Sequence, residues 1–142
     1  MDVDELPFEV RWPTSRALEL WRDGDLDAAR RQLDVADRAI DELGEPYSRF
    51  HVLRLRACVA YSEGDYATAR ALHGEAVGLC HELEFLGGLG ASLCDLAIID
   101  LAEGDSDAAL VHFERGVACY EDGGFADDAA RARAMWARAA AS

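Results

Sequence analysis

An all-α chain of paired helices, an α-α superhelix of about seven helices in three and a half repeats, follows from three observations. Gly24-Asp25, Gly64-Asp65 and Gly104-Asp105 recur at an uninterrupted spacing of 40 residues. Small residues flank each pair at fixed distances, with Ala17, Ala57 and Ala97 before it and Ala29, Ala69 and Ala109 after it. Seven residues further on stand Ala36, Ala76 and Gly116, again uniformly small. Each column has a physical use. A glycine ends one helix in a left-handed turn, the aspartate caps the next by accepting a free backbone N–H, and the small residues let the two helices approach closely.

The elements then follow in order. The pattern predicts helices over 13–23 and 25–43, joined at Gly24-Asp25 and closed by Gly44. Pro46 suits the first turn of a helix over 46–63, and Asp65 opens one over 65–84. Gly87 marks the next turn, followed by helices 87–103 and 105–122, and Gly123-Gly124 precede a last helix over 125–141. Leu33, Val77, Phe113 and Val117 supply bulk between neighbouring pairs, because no helix here buries its apolar stripe alone. Residues 1–12, with Phe8, Val10 and Trp12 in alternation, read as an extended N-terminal arm. The rest, 13–142, reads as a single domain of repeats 13–44, 45–86 and 87–124 with a capping helix over 125–142.

Composition narrows the function. The 142 residues hold 28 acids against 14 bases, a net charge of −14, which disfavours direct binding to nucleic acid or to an anionic membrane. No stretch reaches the roughly 18 apolar residues of a membrane span. Met1-Asp2-Val3-Asp4-Glu5 is acidic where a signal peptide is basic and then apolar, so a cytoplasmic location is expected. Cys58, Cys80, Cys94 and Cys119 are then expected as reduced thiols, and their spacing fits no CxxC pattern. All the bases are Arg, and Lys and Asn are absent, a coding bias expected of a GC-rich genome.

The columns Ala57, Gly64-Asp65, Ala69 and Ala76 resemble the tetratricopeptide repeat (TPR). The resemblance covers residues 13–142, and the period of 40 is similar to the long-repeat variety of bacterial regulators rather than to the common period of about 34. The chain departs from the standard pattern at the aromatic and Leu slots, which hold Pro13 and Arg16, Leu53 and Arg56, and Leu93 and Leu96. Its Tyr slot holds Leu20, Ala60 and Asp100, and the closing Pro is absent. The resemblance implies a right-handed solenoid in which the first helix of each pair lines a concave inner surface.

Carried over from the Gly-Asp turns, twenty positions would line that surface, and none is acidic, where a random draw from this composition would give about four. The candidate binding residues among them are Trp21, His51, Arg54, Cys58 and Tyr61 from the first two repeats, with Ile98, Leu101, Arg131 and Arg138 from the rest. Arginine pairs carboxylates bidentately and aromatic side chains are rigid anchors, so the expected ligand is an acidic-hydrophobic peptide or protein segment. The expected function is that of a non-enzymatic adaptor or regulator. A sensor of a small anionic molecule or signalling peptide is the alternative use of the same groove. A carboxylate clamp of the co-chaperone kind needs asparagines, which the chain lacks.

A small helical enzyme is the third reading. His73, Cys80 and His81 share one helix face, and His51, Cys58 and Cys94 share the inner surface. His73 aligns with Leu33 and Phe113, and Cys80 with Ile40 and Tyr120, which reads both as core residues. Gly87-Gly88-Leu89-Gly90 has a loop-like look but no preceding strand to make it a phosphate loop. No catalytic residue, metal site or cofactor is expected. Trp136 falls in a buried slot, so 125–141 reads as a cap of a monomer, with a homodimer seam as the alternative.

Overall fold

A computed structural model describes residues 3–141. Among these residues the fold is all-helical, with seven α-helices: α1 Phe8–Arg22, α2 Leu26–Leu43, α3 Pro46–Ser62, α4 Tyr66–Glu82, α5 Leu86–Ala102, α6 Ser106–Asp122 and α7 Ala126–Ala141. Consecutive helices pack pairwise, as in an α-α repeat. The chain forms two compact units, Met1–Leu72 and His73–Ser142.

The turns explain the helix ends. Backbone φ is positive at Gly24, Gly44, Gly64, Gly104 and Gly124, and at one residue that is not glycine, Glu84, with φ of 53°. These residues fall at even steps along the chain, half the length of the repeat. After four of the Gly turns and after Glu84 the chain closes alike. Asp25, Asp65 and Asp105 donate their N–H to Leu20, Ala60 and Asp100, while Phe85 and Phe125 donate theirs to Cys80 and Tyr120. The aspartates then act as expected: Asp25 accepts from the N–H of Ala28, Asp65 from Thr68 and Asp105 from Ala108, at 3.1–3.2 Å. Glu45 caps α3 by accepting from the N–H groups of Tyr47 and Ser48, at 2.9 and 2.6 Å.

The N-terminal segment differs from expectation. Val3–Glu5 form a short 3-10 turn and residues 8–12 are the start of α1, not an extended arm; Met1 and Asp2 lie outside the described residues. The alternation of Phe8, Val10 and Trp12 resembled a strand, but only Val10 is buried, while Phe8 and Trp12 are more than 60% exposed. A helix turns positions 8 and 12 to one side and 10 to the other, and burial of Leu6 and Val10 offsets the backbone hydrogen bond that Pro13 forgoes inside α1.

In the first unit α1 packs against α2, and α3 packs against both. Leu6, Val10, Leu33, Ile40, Val52 and Val59 form its core, with fully buried Ala17, Ala29 and Ala36 setting the close helix spacing. Along the α2–α3 seam Arg56 pairs with Asp34 and Asp37, each at 2.6 Å, and Arg49 pairs with Asp41 at 2.9 Å. Burial works against the Arg56 guanidinium, but the hydrogen bonds to Asp34 and Asp37 outweigh it and raise its pKa.

In the second unit α5 packs against α6, and α7 packs against both. Gly90 and Gly116 bring the α5 and α6 backbones together, since a Cβ on Gly116 would stand 2.7 Å from Cys94 Sγ and one on Gly90 would stand 2.9 Å from the Gly116 carbonyl. Gly87-Gly88-Leu89-Gly90 is thus the first turns of α5 rather than a loop. Trp136 is half-buried and stacks on Phe113, with centroids 4.6 Å apart and planes 10° from parallel.

Candidate functional site

The nine sequence-predicted binding residues divide between the units. In the first, Trp21 on α1 donates its indole N–H to Ser62 Oγ on α3 at 2.8 Å, which ties the two helices together. Trp21 and Cys58 also lean on the same core, so both are half-buried. Tyr61 lies 5.5 Å from the ring of Tyr66, and burial, with Tyr66 beside it, raises its hydroxyl pKa. His51 meets the edge of Phe50 at 5.1 Å, and Arg54 is half-buried between these positions in the same helical register. Thr14, one of the twenty positions expected to line the concave surface, is buried and donates its hydroxyl to the Val10 carbonyl, so it offers no surface.

Charge separates the two sides of α3. Its 17 residues contain Arg49, Arg54, Arg56 and His51 and no acid. Asp34, Asp37 and Asp41 of α2 are engaged by Arg49 and Arg56 on one side, and Arg54 lies about 200° around the helix from Arg56. Arg54 therefore shares a helical register on α3 with Cys58 and Tyr61, while Trp21 of α1 meets Ser62 at the end of the same helix.

In the second unit Ile98 and Leu101 are half-buried on α5, while Arg131 and Arg138 are exposed on α7. Arg131 pairs with Asp128 one turn earlier on its own helix. Ala91, also among the twenty positions expected to line the concave surface, is buried.

Burial separates the members of the His73, Cys80 and His81 group. His73 is buried, with Nε2 at 3.9 Å from Asp95 Oδ2, and His81 is exposed on the same helix. Burial pushes the Cys80 thiol up to about 12, which leaves almost no thiolate at neutral pH. Burial also raises Cys119, where Arg115 opposes and Asp122 adds to the shift. Among the described residues no group of three or more His, Cys, Asp or Glu is placed to hold a metal ion. No helix among them is long and apolar enough to cross a membrane.

Two features escaped the sequence reading. A cleft of about 300 Å³ in the first unit is lined by Arg30, Arg56, Val59, Glu63, Asp65 and Leu72, among others. Its arginines are already matched, Arg30 by Asp27 and Glu63 and Arg56 by Asp34 and Asp37, so the cleft is electrostatically balanced. The second feature is Asp100 on α5, 2% exposed, whose Oδ2 lies 2.5 Å from Nδ1 of His112 on α6. A carboxylate in the slot held elsewhere by Leu20 and Ala60 was its only sequence signal. No family model, curated protein or solved structure matches the chain, so its function rests on these residues.

Proposed function

We propose that this chain is a non-enzymatic TPR-like adaptor or regulator of the bacterial cytoplasm that binds an acidic-hydrophobic peptide segment. In the first unit the segment lies on the face shared by α1 and α3. Arg54 pairs its carboxylates, and Trp21, Cys58 and Tyr61 contact its apolar side chains. Ile98, Leu101, Arg131 and Arg138 offer the same combination in the second unit. The observation that carries this reading is the composition of α3: no acid in the helix, and Arg54 in the same helical register as Cys58 and Tyr61. Charged guanidinium–carboxylate bonds select acidic partners, while the rigid aromatic surface contributes affinity.

The test is a peptide array probed with the full chain, followed by fluorescence anisotropy on selected sequences. Peptides that interleave Asp or Glu with Leu or Phe are expected to bind, and Lys-for-Glu versions are not. The Arg54→Ala/Arg138→Ala double variant is expected to bind at least about tenfold more weakly, the order of one lost charged hydrogen bond. Equal affinity for acidic and basic peptides, or an unaffected double variant, overturns the proposal. Native mass spectrometry of the purified chain separates the alternative, a retained small anionic ligand.

A further inference from the structure

The Asp100–His112 pair is not demanded by the repeat. Its two positions are held by Leu20 and Gln32 in the first repeat and by Ala60 and Leu72 in the second, with the same turn and the same small-residue columns. An ionisable pair that buries a carboxylate at 2% exposure therefore adds a desolvation cost the fold avoids elsewhere. The carboxylate can only accept, so Nδ1 of His112 carries the hydrogen of their 2.5 Å contact. In the neutral ring that sets the tautomer and leaves the lone pair on Nε2. Nδ1 faces the buried carboxylate, and the His112 side chain keeps about a quarter of its surface exposed. Exposed Arg115 lies one turn along α6, and at Gly116 the following turn adds no side chain beside the ring.

We infer that His112 is a phosphoryl-acceptor site, with Nε2 as nucleophile and Asp100 as its positioning residue. The donor class is an acyl phosphate or a phosphoramidate. The Nε2 lone pair forms the N–P bond, and the P–O or P–N bond to the donor's leaving group breaks and takes its electron pair there. The carboxylate or amine departs, and the Nδ1 hydrogen stays on Asp100's contact throughout. Arg115 is placed to pair the new phosphoryl oxygens, whose added charge is about −1.5 to −2. A mere packing pair would need neither the fixed tautomer nor an exposed ring edge.

The test treats the full chain with potassium phosphoramidate and follows it by intact mass and phosphorus NMR, with the modified residue mapped at alkaline pH. The expected result is one phosphoryl group on His112, gained at least about tenfold faster than on the exposed His81, the size of effect that orienting carboxylates have on a histidine. His81→Gln is expected to leave that rate unchanged and His112→Gln to abolish it. Asp100→Asn is expected to slow it by about tenfold while circular dichroism shows the helices retained. Phosphorylation of His81 or His51 as fast as His112, or a wild-type rate in a folded Asp100→Asn, overturns the inference. If Asp100→Asn unfolds, the rate ratio of His112 to His81 in the unaltered chain decides it.

Discussion

At the scale of single residues, the left-handed turn positions separate what a side chain costs from what it contributes. Glu84 adopts φ of 53° where the equivalent turns use glycine. A Cβ is unfavourable there, so Glu84→Gly is expected to stabilise the chain by about 0.5–1 kcal/mol, read as a higher urea midpoint. A lower midpoint would show that the Glu84 side chain contributes more than its backbone costs. Helix-interior glycines divide by what surrounds them. Gly116→Ala meets Cys94 Sγ at 2.7 Å and is expected to cost about 1–3 kcal/mol, whereas Gly78→Ala meets nothing within 4 Å and should gain about 0.5–1 kcal/mol of helix propensity. Destabilisation by both would show that the α5–α6 approach is not what Gly116 serves. The sequence marked Gly116 as a small-residue column, but the atom it makes room for, Cys94 Sγ, belongs to a helix more than twenty residues away.

At the scale of elements, caps and helix pairs give the chain its acid sensitivity. Burial raises the Glu45 carboxyl, yet hydrogen bonds from Ser48 Oγ and the N–H groups of Tyr47 and Ser48 outweigh it and hold the pKa below its ordinary 4.5. A depressed pKa means stability that is complete above pH 4.5 and is lost as pH falls through the lower folded value. Asp65 acts in the same direction below its ordinary 3.8, because it accepts from the Thr68 hydroxyl and N–H. Glu45→Gln is thus expected to be less stable than wild type at neutral pH and to converge with it in acid, as measured by thermal unfolding across pH. A constant difference across that range would refute the linkage. Asp105→Ala removes the cap on Ala108 N–H and is expected to cost about 1 kcal/mol. Helix limits were legible to within a residue or so wherever Gly-Asp marks them, since the signal lies in the turn itself. The start of α1 was missed by five residues because its first turns expose Phe8 and Trp12 and so show no helical period of burial.

At the scale of the whole molecule, net charge sets the response to salt. With a net charge of −14, self-repulsion opposes the folded state, and the exposed ion pairs contribute little to offset it. The melting temperature is therefore expected to rise between low salt and physiological ionic strength, where the screening length shortens to about 8 Å. A fall would mean that pairs such as Arg56 with Asp34 and Asp37 outweigh the net repulsion. The candidate binding face was legible in part. The absence of acids from the first-helix positions is visible in the chain, and Trp21 and Cys58 are both half-buried against the core of the first unit. That Thr14 and Ala91 are buried, and that Arg131 is held by Asp128, was not visible, because each depends on how neighbouring turns fill space.

What can be read from the chain without a structure is what acts over a few residues: turn chemistry, capping, small-residue columns and the period of the apolar stripe. These made the all-helical, pairwise architecture legible. The rest depends on pairs far apart in sequence. The Arg49 and Arg56 ion pairs with α2, the Phe113–Trp136 stack and the Trp21–Ser62 bond all require one helix to meet another at a given register. Asp100 and His112 show the difference most plainly. Each is an ordinary residue in its own helix, and only the packing of α5 on α6 buries the carboxylate and turns it toward the imidazole, since desolvation and hydrogen-bond direction are set by the surrounding atoms rather than by the local chain.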